Sequence, residues 1–284
     1  MSIILLNSIM NRINDMPMLP ESIETIIRLT EDPDSTVKDL EKEILKDQSL
    51  TSQVLKLANS THYGYSRRIS TISEATVLLG FQTIKSIALT TSVNTHLLKE
   101  LPGYGLKKDM LWQQSLACAI ISRLISKKTK ICHPEQAYIA GLLRDIGKVI
   151  LNCYVTSEFY KIIDKVNDEG STFIEAEEEI LGYNHAQVGA NIARKWNFPA
   201  NLVEAIEYHH SPEAAMIDHE LVSIVHIADA LAMMLGIGLG IDGMQYMLSD
   251  FALESISLCK NDIEHIVSEV TDMLFVEEAL SITE

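Results

Sequence analysis

Apolar residues recur at helical spacing in one segment of this chain after another. In "LPESIETIIRLTED" (residues 19–32), Ile23, Ile26 and Ile27 share one face of a helix, and "DSTVKDLEKEILKD" (residues 34–47) repeats the spacing from Val37 to Leu45. Alternating polar and apolar patterns between turns, which mark strands, are nearly absent. The best strand candidate, "KVILNCYV" (148–155), has helical neighbours and is interpreted as the interior of a buried helix. The chain is therefore predicted to be all-α.

Length and turn residues predict how the helices are divided. A chain of 284 residues forms one large domain or two small ones. The segment "KELPGYGLKKD" (99–109) interrupts the helical pattern with Pro102, Gly103 and Gly105. We expect a first helical subdomain at residues 1–108 and a second at residues 109–284. Ser35 and Ser73 are the candidate N-caps of two helices in the first part, and Gly80 is a candidate helix stop.

The net charge limits the partners of the second subdomain. Residues 1–108 carry 12 Lys and Arg and 12 Asp and Glu, so the whole net charge of −16 lies in residues 109–284. After Lys195 the only basic residue is Lys260. Such a surface repels phosphate backbones, and we expect no nucleic-acid partner.

Targeting signals and cysteines predict the compartment. The opening "MSIILLNSIM" lacks a basic region before its short apolar run, and no stretch approaches the ~20 apolar residues of a membrane helix. The four cysteines are far apart and form no CxxC pair. We expect reduced thiols, no membrane association and a cytoplasmic location.

Histidines and aspartates scattered through the second half are candidate metal ligands. Imidazole and carboxylate groups bind divalent iron, manganese or zinc, and a water on such an ion becomes a nucleophile at neutral pH. The candidates are Asp145 in "LLRDIGK", His185, the pair His209 and His210 in "AIEYHHSP", and His226 with Asp229, which are spaced i, i+3. A lone histidine on an apolar helix is more often a hydrogen-bonded core residue. Both interpretations stay open on the residues alone.

Several motifs in order resemble one known family. "AGLLRDIGKVIL" resembles the centre of the HD metal-dependent phosphohydrolase superfamily, in which "HDIGK" is common. "MPMLPESIETIIRL", "ILKDQSLTSQVLKLANS" and "ISTISEATVLLG" resemble the N-terminal signature of the HDOD family, the HD-related output domain. "LWQQSLACAIIS", "HAQVGANIARKWNFPANLVEAIEYHH" and "VHIADALA" resemble its C-terminal part. The resemblance covers roughly residues 17–230. It implies a helical bundle followed by an HD-like helical domain, here with an acidic C-terminal extension.

The sequence departs from the HD pattern at two metal ligands. Gln113 or Gln114 stands where HD hydrolases have their first histidine, and Arg144 stands where they have the histidine of the His-Asp pair. Asp145 remains. Lys148 matches the lysine after the His-Asp pair, and Asp229 matches the final aspartate of the HD site. His185 and either His209 or His210 match the additional histidines. An arginine is always charged, so a guanidinium directed into the site would repel a divalent ion. The direction of Arg144 is therefore decisive.

The resemblance implies a signalling output module of bacteria that acts by protein or small-ligand binding, and the missing ligands predict that it is non-catalytic and needs no cofactor. One alternative is a phosphohydrolase or phosphodiesterase that uses Asp145 and Lys148. Another is a structural iron, manganese or zinc ion without turnover. The metal ligands in either alternative would be Asp145, His185, His209, His210 and Asp229. The signalling partner is unknown, and the amphipathic segment "HIVSEVTDMLFVEEAL" (265–280) either packs internally or forms a homodimer contact.

Overall fold

The computed structural model describes residues 3–59, 68–243 and 248–281, and these residues form helices and no strand. The predicted all-α fold is confirmed. The helices are α1 (Ile3–Asp15), α2 (Glu21–Glu31), α3 (Val37–Ile44), α4 (Gln48–Ala58), α5 (Ile72–Leu79), α6 (Phe81–Leu97), α7 (Met110–Thr129), α8 (Pro134–Leu143), α9 (Lys148–Glu169), α10 (Phe173–Leu181), α11 (His185–Lys195), α12 (Ala200–Tyr208), α13 (His219–Met234), α14 (Asp250–Ser255) and α15 (Lys260–Ser281). Short 3-10 helices lie at Pro102–Tyr104, Pro212–Ala214 and Ile241–Gly243.

The chain divides into two compact units. One is Met18–Thr95, and the other joins Met1–Pro17 to His96–Glu284. The N-terminal helix α1 thus packs with the second unit, against α9 and α11. The division into subdomains at residues 1–108 and 109–284 stays a prediction. Ser60, at the end of one quoted motif, lies outside the described residues.

Two helices of the unit Met18–Thr95, α3 and α5, have threonine N-caps. Thr36 accepts a hydrogen bond from the Asp39 N–H, and the Asp39 side chain bonds back to it, so α3 starts with a capping box. Thr71 caps α5 in the same position relative to Glu74. The predicted caps, Ser35 and Ser73, are therefore wrong by one and two residues. The predicted stop at Gly80 is confirmed, and its φ of 82° favours glycine.

Helices α7, α8 and α13 pack against one another in the core of the larger unit. α8 lacks a polar face, and every residue from Ala137 to Leu143 is buried. Where α8 crosses α7, a Cβ on Gly141 would lie 2.6 Å from the Ser122 Oγ and 2.9 Å from the Cys118 carbonyl oxygen. Such close helix contact requires glycine, and it brings the end of α8 into the middle of the unit.

The segments "KVILNCYV" and 265–280 are both helical. The first begins α9, as predicted. In the second, Ile266 and Val270 are buried, and α15 packs against α7. At these two positions the apolar face of α15 packs inside the chain. A homodimer contact stays a prediction. Among the described helices, none has both the length and the apolar content to cross a bilayer.

Candidate metal centre

A sharp corner between α8 and α9 places Asp145. Arg144 to Gly147 form the turn, and α9 begins at Lys148. A Cβ on Gly147 would lie 1.9 Å from the carbonyl oxygen of His185 and 2.6 Å from the backbone nitrogen of Gly189. Because only glycine permits that approach, the corner lies directly against the start of α11. Asp145 and His185 consequently meet, although 40 residues separate them.

The α10–α11 connection holds His185 in a defined orientation. Asn184 and Gln187 form a capping box, which makes His185 the first residue of α11. The carboxylate of Glu177 accepts hydrogen bonds from the backbone N–H of His185 at 3.0 Å and from its ring Nδ1 at 2.7 Å. The hydroxyl of Tyr104 donates to the other oxygen of Glu177. With Nδ1 donating to Glu177, Nε2 is the nitrogen that His185 turns toward Asp145.

Two consecutive histidines follow α12. The Nδ1 of His209 donates to the carbonyl oxygen of Ile206 at 2.8 Å, so its Nε2 carries a lone pair in the neutral ring. His209 is fully buried, and that Nε2 has no hydrogen-bond partner among the described residues. The Nε2 of His210 lies 2.9 Å from the Nε2 of His185. One of these two nitrogens carries the proton that joins them.

Four of the five predicted ligands come together. Asp145, His185, His209 and His210 each offer a ligand atom, and these atoms all lie within 4.8 Å of one another. Asp145 Oδ1 is 3.4 Å from the Nε2 of His185 and 3.7 Å from that of His209. Four ligands at the usual ~2.0–2.1 Å from a tetrahedral zinc ion are separated by about 3.4 Å. The donor set therefore fits a single zinc, iron or manganese ion.

Arg144 lies on the opposite side of the Asp145 carboxylate. The guanidinium is fully buried, with its Nη2 3.1 Å from Asp145 Oδ2. Its Nε donates to Asp229 Oδ1 at 2.7 Å, and its Nη1 donates to the Gly141 carbonyl oxygen at 3.2 Å. Arg144 therefore points into the site, and Asp229 pairs with it instead of joining the four-residue donor set.

Lys148 is the second buried cation of the site. Its Nζ lies 3.0 Å from Asp145 Oδ2 and donates to Asp242 Oδ2 at 2.5 Å. Burial alone would lower the pKa of Lys148, but the carboxylates of Asp145 and Asp242 outweigh it and raise that pKa. Lys148 is accordingly a charged, doubly paired ammonium.

The charges set the protonation of the site. Burial alone would raise the pKa of Asp145, but Arg144 and Lys148 outweigh it and hold that pKa well below its usual range. Burial lowers the pKa of His209, and burial together with the neighbouring histidines lowers that of His210 strongly. Asp145 is thus an anion and both rings are neutral, which is the form in which these residues bind metals.

The structure distinguishes between the two glutamines of α7. Gln113 is exposed, whereas Gln114 is buried and its Oε1 has no hydrogen-bond partner among the described residues. One turn along α7 lies Cys118, whose thiol is affected electrostatically by Arg144 and Asp229, while burial raises its pKa to about 12. Gln114 thus lies on the same buried face of α7 as Cys118, and an amide occupies that position.

His226 has a structural role. Its Nδ1 donates to the carbonyl oxygen of His209 at 2.7 Å, and its Nε2 accepts from the backbone N–H of Ser249 at 2.9 Å. Both ring nitrogens are occupied, so His226 connects the end of α12 to the start of α14. The structural interpretation of a lone histidine holds here.

Sequence reasoning missed Glu177 and Asp242. Glu177 stands in the acidic run "EAEEEI", which is typical of a solvated face. Its spacing did carry a signal, because it lies four residues after Phe173 and four before Leu181, on the buried face of α10. Asp242 follows the glycine-rich "GIGLG", and no local pattern connects it to Lys148.

Comparison with known proteins identifies the family. The sequence model of the HDOD domain matches residues 16–212. This chain belongs to the HDOD family. An HDOD domain protein of unknown function from Geobacter sulfurreducens has the same fold, with a TM-score of 0.77, 29% identity, and coverage of 99% of this chain and 96% of that one.

Other relatives are described in different terms. A protein from Shewanella amazonensis, named provisionally as a phosphohydrolase, aligns with a TM-score of 0.72 and 25% identity over 93% of both chains. An uncharacterized protein of Treponema pallidum is 29% identical over an alignment of 237 positions that covers 78% of this chain and 43% of that protein. This chain thus spans less than half the length of that relative.

Proposed function

We propose that this HDOD chain is a non-catalytic module of bacterial signal transduction that acts by binding a protein or a small ligand. The observation that carries the proposal is the buried Arg144 guanidinium between Asp145 and Asp229. It takes up two carboxylates that the resemblance assigns to metal binding. Membership of the HDOD family supports the signalling setting, whereas the Shewanella amazonensis relative, named provisionally as a phosphohydrolase, favours the enzyme alternative.

Electrostatics explains why Arg144 opposes the HD type of metal site. A guanidinium keeps its proton at every accessible pH. Two unit charges 4 Å apart interact by about 4 kcal/mol at an effective dielectric constant of 20, and a divalent ion doubles that repulsion. Arg144 also fills the position of a histidine ligand, and Gln114 replaces the other missing imidazole with an amide. A metal ion on the guanidinium side would therefore have fewer ligand atoms and would be repelled by the positive charge of Arg144.

A single ion on the imidazole side is the second candidate, and the four convergent donors favour it. Asp145, His185, His209 and His210 would hold the ion, with Glu177 orienting His185. Such an ion would crosslink the α8–α9 corner, α11 and the end of α12. If it also retained a water, it would supply a nucleophile for phosphoester hydrolysis, with Lys148 offsetting negative charge. That enzyme is the third candidate.

Metal analysis followed by an activity assay separates the three. Purified protein is incubated with Mn²⁺, Fe²⁺ or Zn²⁺, desalted and analysed by mass spectrometry of the metals. Hydrolysis of bis(p-nitrophenyl) phosphate is then measured with Asp145→Ala and His185→Ala beside the exposed-site control His219→Ala. We expect no turnover. Turnover that Asp145→Ala abolishes and His219→Ala spares would overturn the proposal, and one bound ion without turnover would establish the structural site.

Restoring the missing imidazoles tests the role of Arg144 directly. In the double variant Gln114→His, Arg144→His the guanidinium is gone, Asp229 is released, and two donors are added. We expect metal content to rise above that of the natural sequence by about one ion per chain. Equal metal content in both proteins would show that Arg144 does not exclude metal.

A further inference from the structure

Two adjacent apolar side chains project into solvent from the loop between α12 and α13. Met216 is 89% exposed and Ile217 is 62% exposed. Neighbouring Pro212 and Ala215 are buried, so the loop itself is packed while this pair is left out.

A buried carboxylate fixes the loop that carries the pair. Glu204, only 5% exposed, accepts hydrogen bonds from the backbone N–H groups of Met216 at 2.6 Å, Ile217 at 2.9 Å and Asp218 at 2.7 Å. Asp218 in turn caps α13 through the N–H of Leu221 at 3.0 Å. A carboxylate with this many donors holds a loop firmly. The exposure of Met216 and Ile217 is therefore a fixed feature of the surface.

The pair borders a groove of about 540 Å³ beside α12. Its apolar lining is Phe198, Ala200, Val203, Tyr208, Met216 and Ile217. Arg194 and Glu207, which form an ion pair, are the charged residues at its edge together with Glu204. An apolar groove of this kind with fixed apolar residues at its rim is the type of surface that receives the apolar face of a helix.

The charge around the groove favours a partner segment of opposite charge. Residues 196–259 contain nine Asp and Glu and no Lys or Arg, and seven of the nine lie outside the buried ion pairs with Arg144 and Lys148. Glu213 is exposed on the short helix that precedes Met216. Arg194, the one cation of the lining, is already paired with Glu207. A basic segment therefore meets attraction on this surface, whereas an acidic one meets repulsion.

We propose that this groove docks a basic amphipathic helix of a partner protein, with apolar residues against Met216 and Ile217 and Lys or Arg toward the surrounding carboxylates. The proposal deepens the proposed signalling function and rests on it for the view that the output is protein binding. It places that binding on the α12–α13 loop rather than at the buried ion-pair network. The hydrolysis assay tests the non-catalytic signalling role, and peptide binding tests the groove. Each proposal can therefore fail without the other.

Random-peptide display tests the proposal with a defined probe. A library of 16-residue peptides is selected on the full chain and counter-selected on Met216→Ser, Ile217→Ser. The matched control is Met234→Ser, since Met234 is 68% exposed but lies outside the groove lining. Selected peptides are synthesised, and their dissociation constants are measured by fluorescence anisotropy at two salt concentrations. Thermal melting of each variant shows whether it is folded.

We expect enriched peptides to be net positive, with apolar residues at i, i+3, i+4 and i+7. Their binding should weaken at least tenfold in the Met216 and Ile217 variant, remain within twofold in Met234→Ser, and weaken further with salt. No enrichment, enrichment of neutral or acidic peptides, or equal loss in the control would overturn the proposal. Light scattering that shows a dimer lost only in the Met216 and Ile217 variant would also overturn it, because the occupant would then be a second copy of this chain.

Discussion

The two sides of Asp145 differ in what they can bind. Oδ1 faces the rings of His185 and His209, at 3.4 and 3.7 Å. Oδ2 faces the cations of Arg144 and Lys148, at 3.1 and 3.0 Å. The imidazole side offers lone pairs for an added cation, while the guanidinium side already contains its cations. One carboxylate thus separates a potential metal site from a permanent ion-pair network.

The difference shows how a metal site can be partly lost without exposing buried charge. Replacing a ligand histidine by an apolar residue would leave Asp145 and Asp229 as uncompensated buried carboxylates, at a cost of several kcal/mol. Arginine removes the ligand and supplies the missing positive charge. The network is therefore expected to be more important for stability than any single surface pair.

Gly147 allows the α8–α9 corner to lie against α11, and its substitution should have the largest effect on the free energy of unfolding. In Gly147→Ala the new Cβ would lie 1.9 Å from the backbone oxygen of His185, so α9 and α11 would have to separate. We expect a loss of about 4 kcal/mol or more in the free energy of unfolding. Urea denaturation in the presence of chelator measures it. Gly189→Ala is the milder comparison, since its Cβ would meet the movable side chain of Ile206 at 3.0 Å and the backbone nitrogen of Gly147 only at 3.3 Å. An equal loss in both variants would contradict this explanation.

Removing the guanidinium should cost nearly as much. Arg144→Ala leaves Asp229 without its cation and Asp145 with only Lys148, and we expect about 3–5 kcal/mol of destabilisation. The comparison variant is Arg194→Ala, which breaks a solvent-exposed pair with Glu207 and should change stability by about 0–1 kcal/mol. Similar values for the two arginines would show that the buried network is not a special contributor.

Lys148 should contribute less than Arg144, because the carboxylate it leaves unpaired, Asp242, is 9% exposed, whereas Asp229 beside Arg144 is 1% exposed. We expect Lys148→Met to lose about 2–3 kcal/mol. Adding Asp242→Asn to that variant removes the carboxylate left unpaired, so the double variant should recover about 1 kcal/mol. If the two losses simply add, the contact between Lys148 and Asp242 has no energetic weight.

Acidification should destabilise the fold through its buried histidines. Burial lowers the pKa values of His209, His210 and His226 in the folded chain, so the unfolded chain binds more protons below about pH 6.5. The contribution of the neutral histidines to the free energy of unfolding is fully present above that pH. It falls as the pH drops, by up to about 2 kcal/mol per histidine between pH 7 and pH 5. Chemical denaturation at both pH values measures this loss. His226→Gln keeps a donor and an acceptor, and it should reduce the pH-dependent loss by about 1–2 kcal/mol. An unchanged loss would exclude His226 as a contributor.

Much of the architecture was accessible from the sequence. Helical periodicity identified the all-α fold, because amphipathic spacing is a local property that each segment carries independently. The ordered motifs identified the family, and the residue types identified Asp145, His185, His209 and His210 as a possible donor set. The helix caps were missed by one or two residues, since Ser35 and Thr36 are both capable of capping and only backbone geometry selects between them.

Direction and distant pairing were decided by the tertiary structure alone. The sequence indicated that Arg144 was important without showing where its guanidinium lies, because the α8–α9 corner and the close approach at Gly147 set that direction. Pairing of Lys148 with Asp242, and of His185 with Glu177, depends on which helices meet, and no local spacing encodes it. Likewise, the exposure of Met216 and Ile217 follows from the buried Glu204 beneath their backbone. Local chemistry thus determined which groups were available, and packing determined which of them became partners.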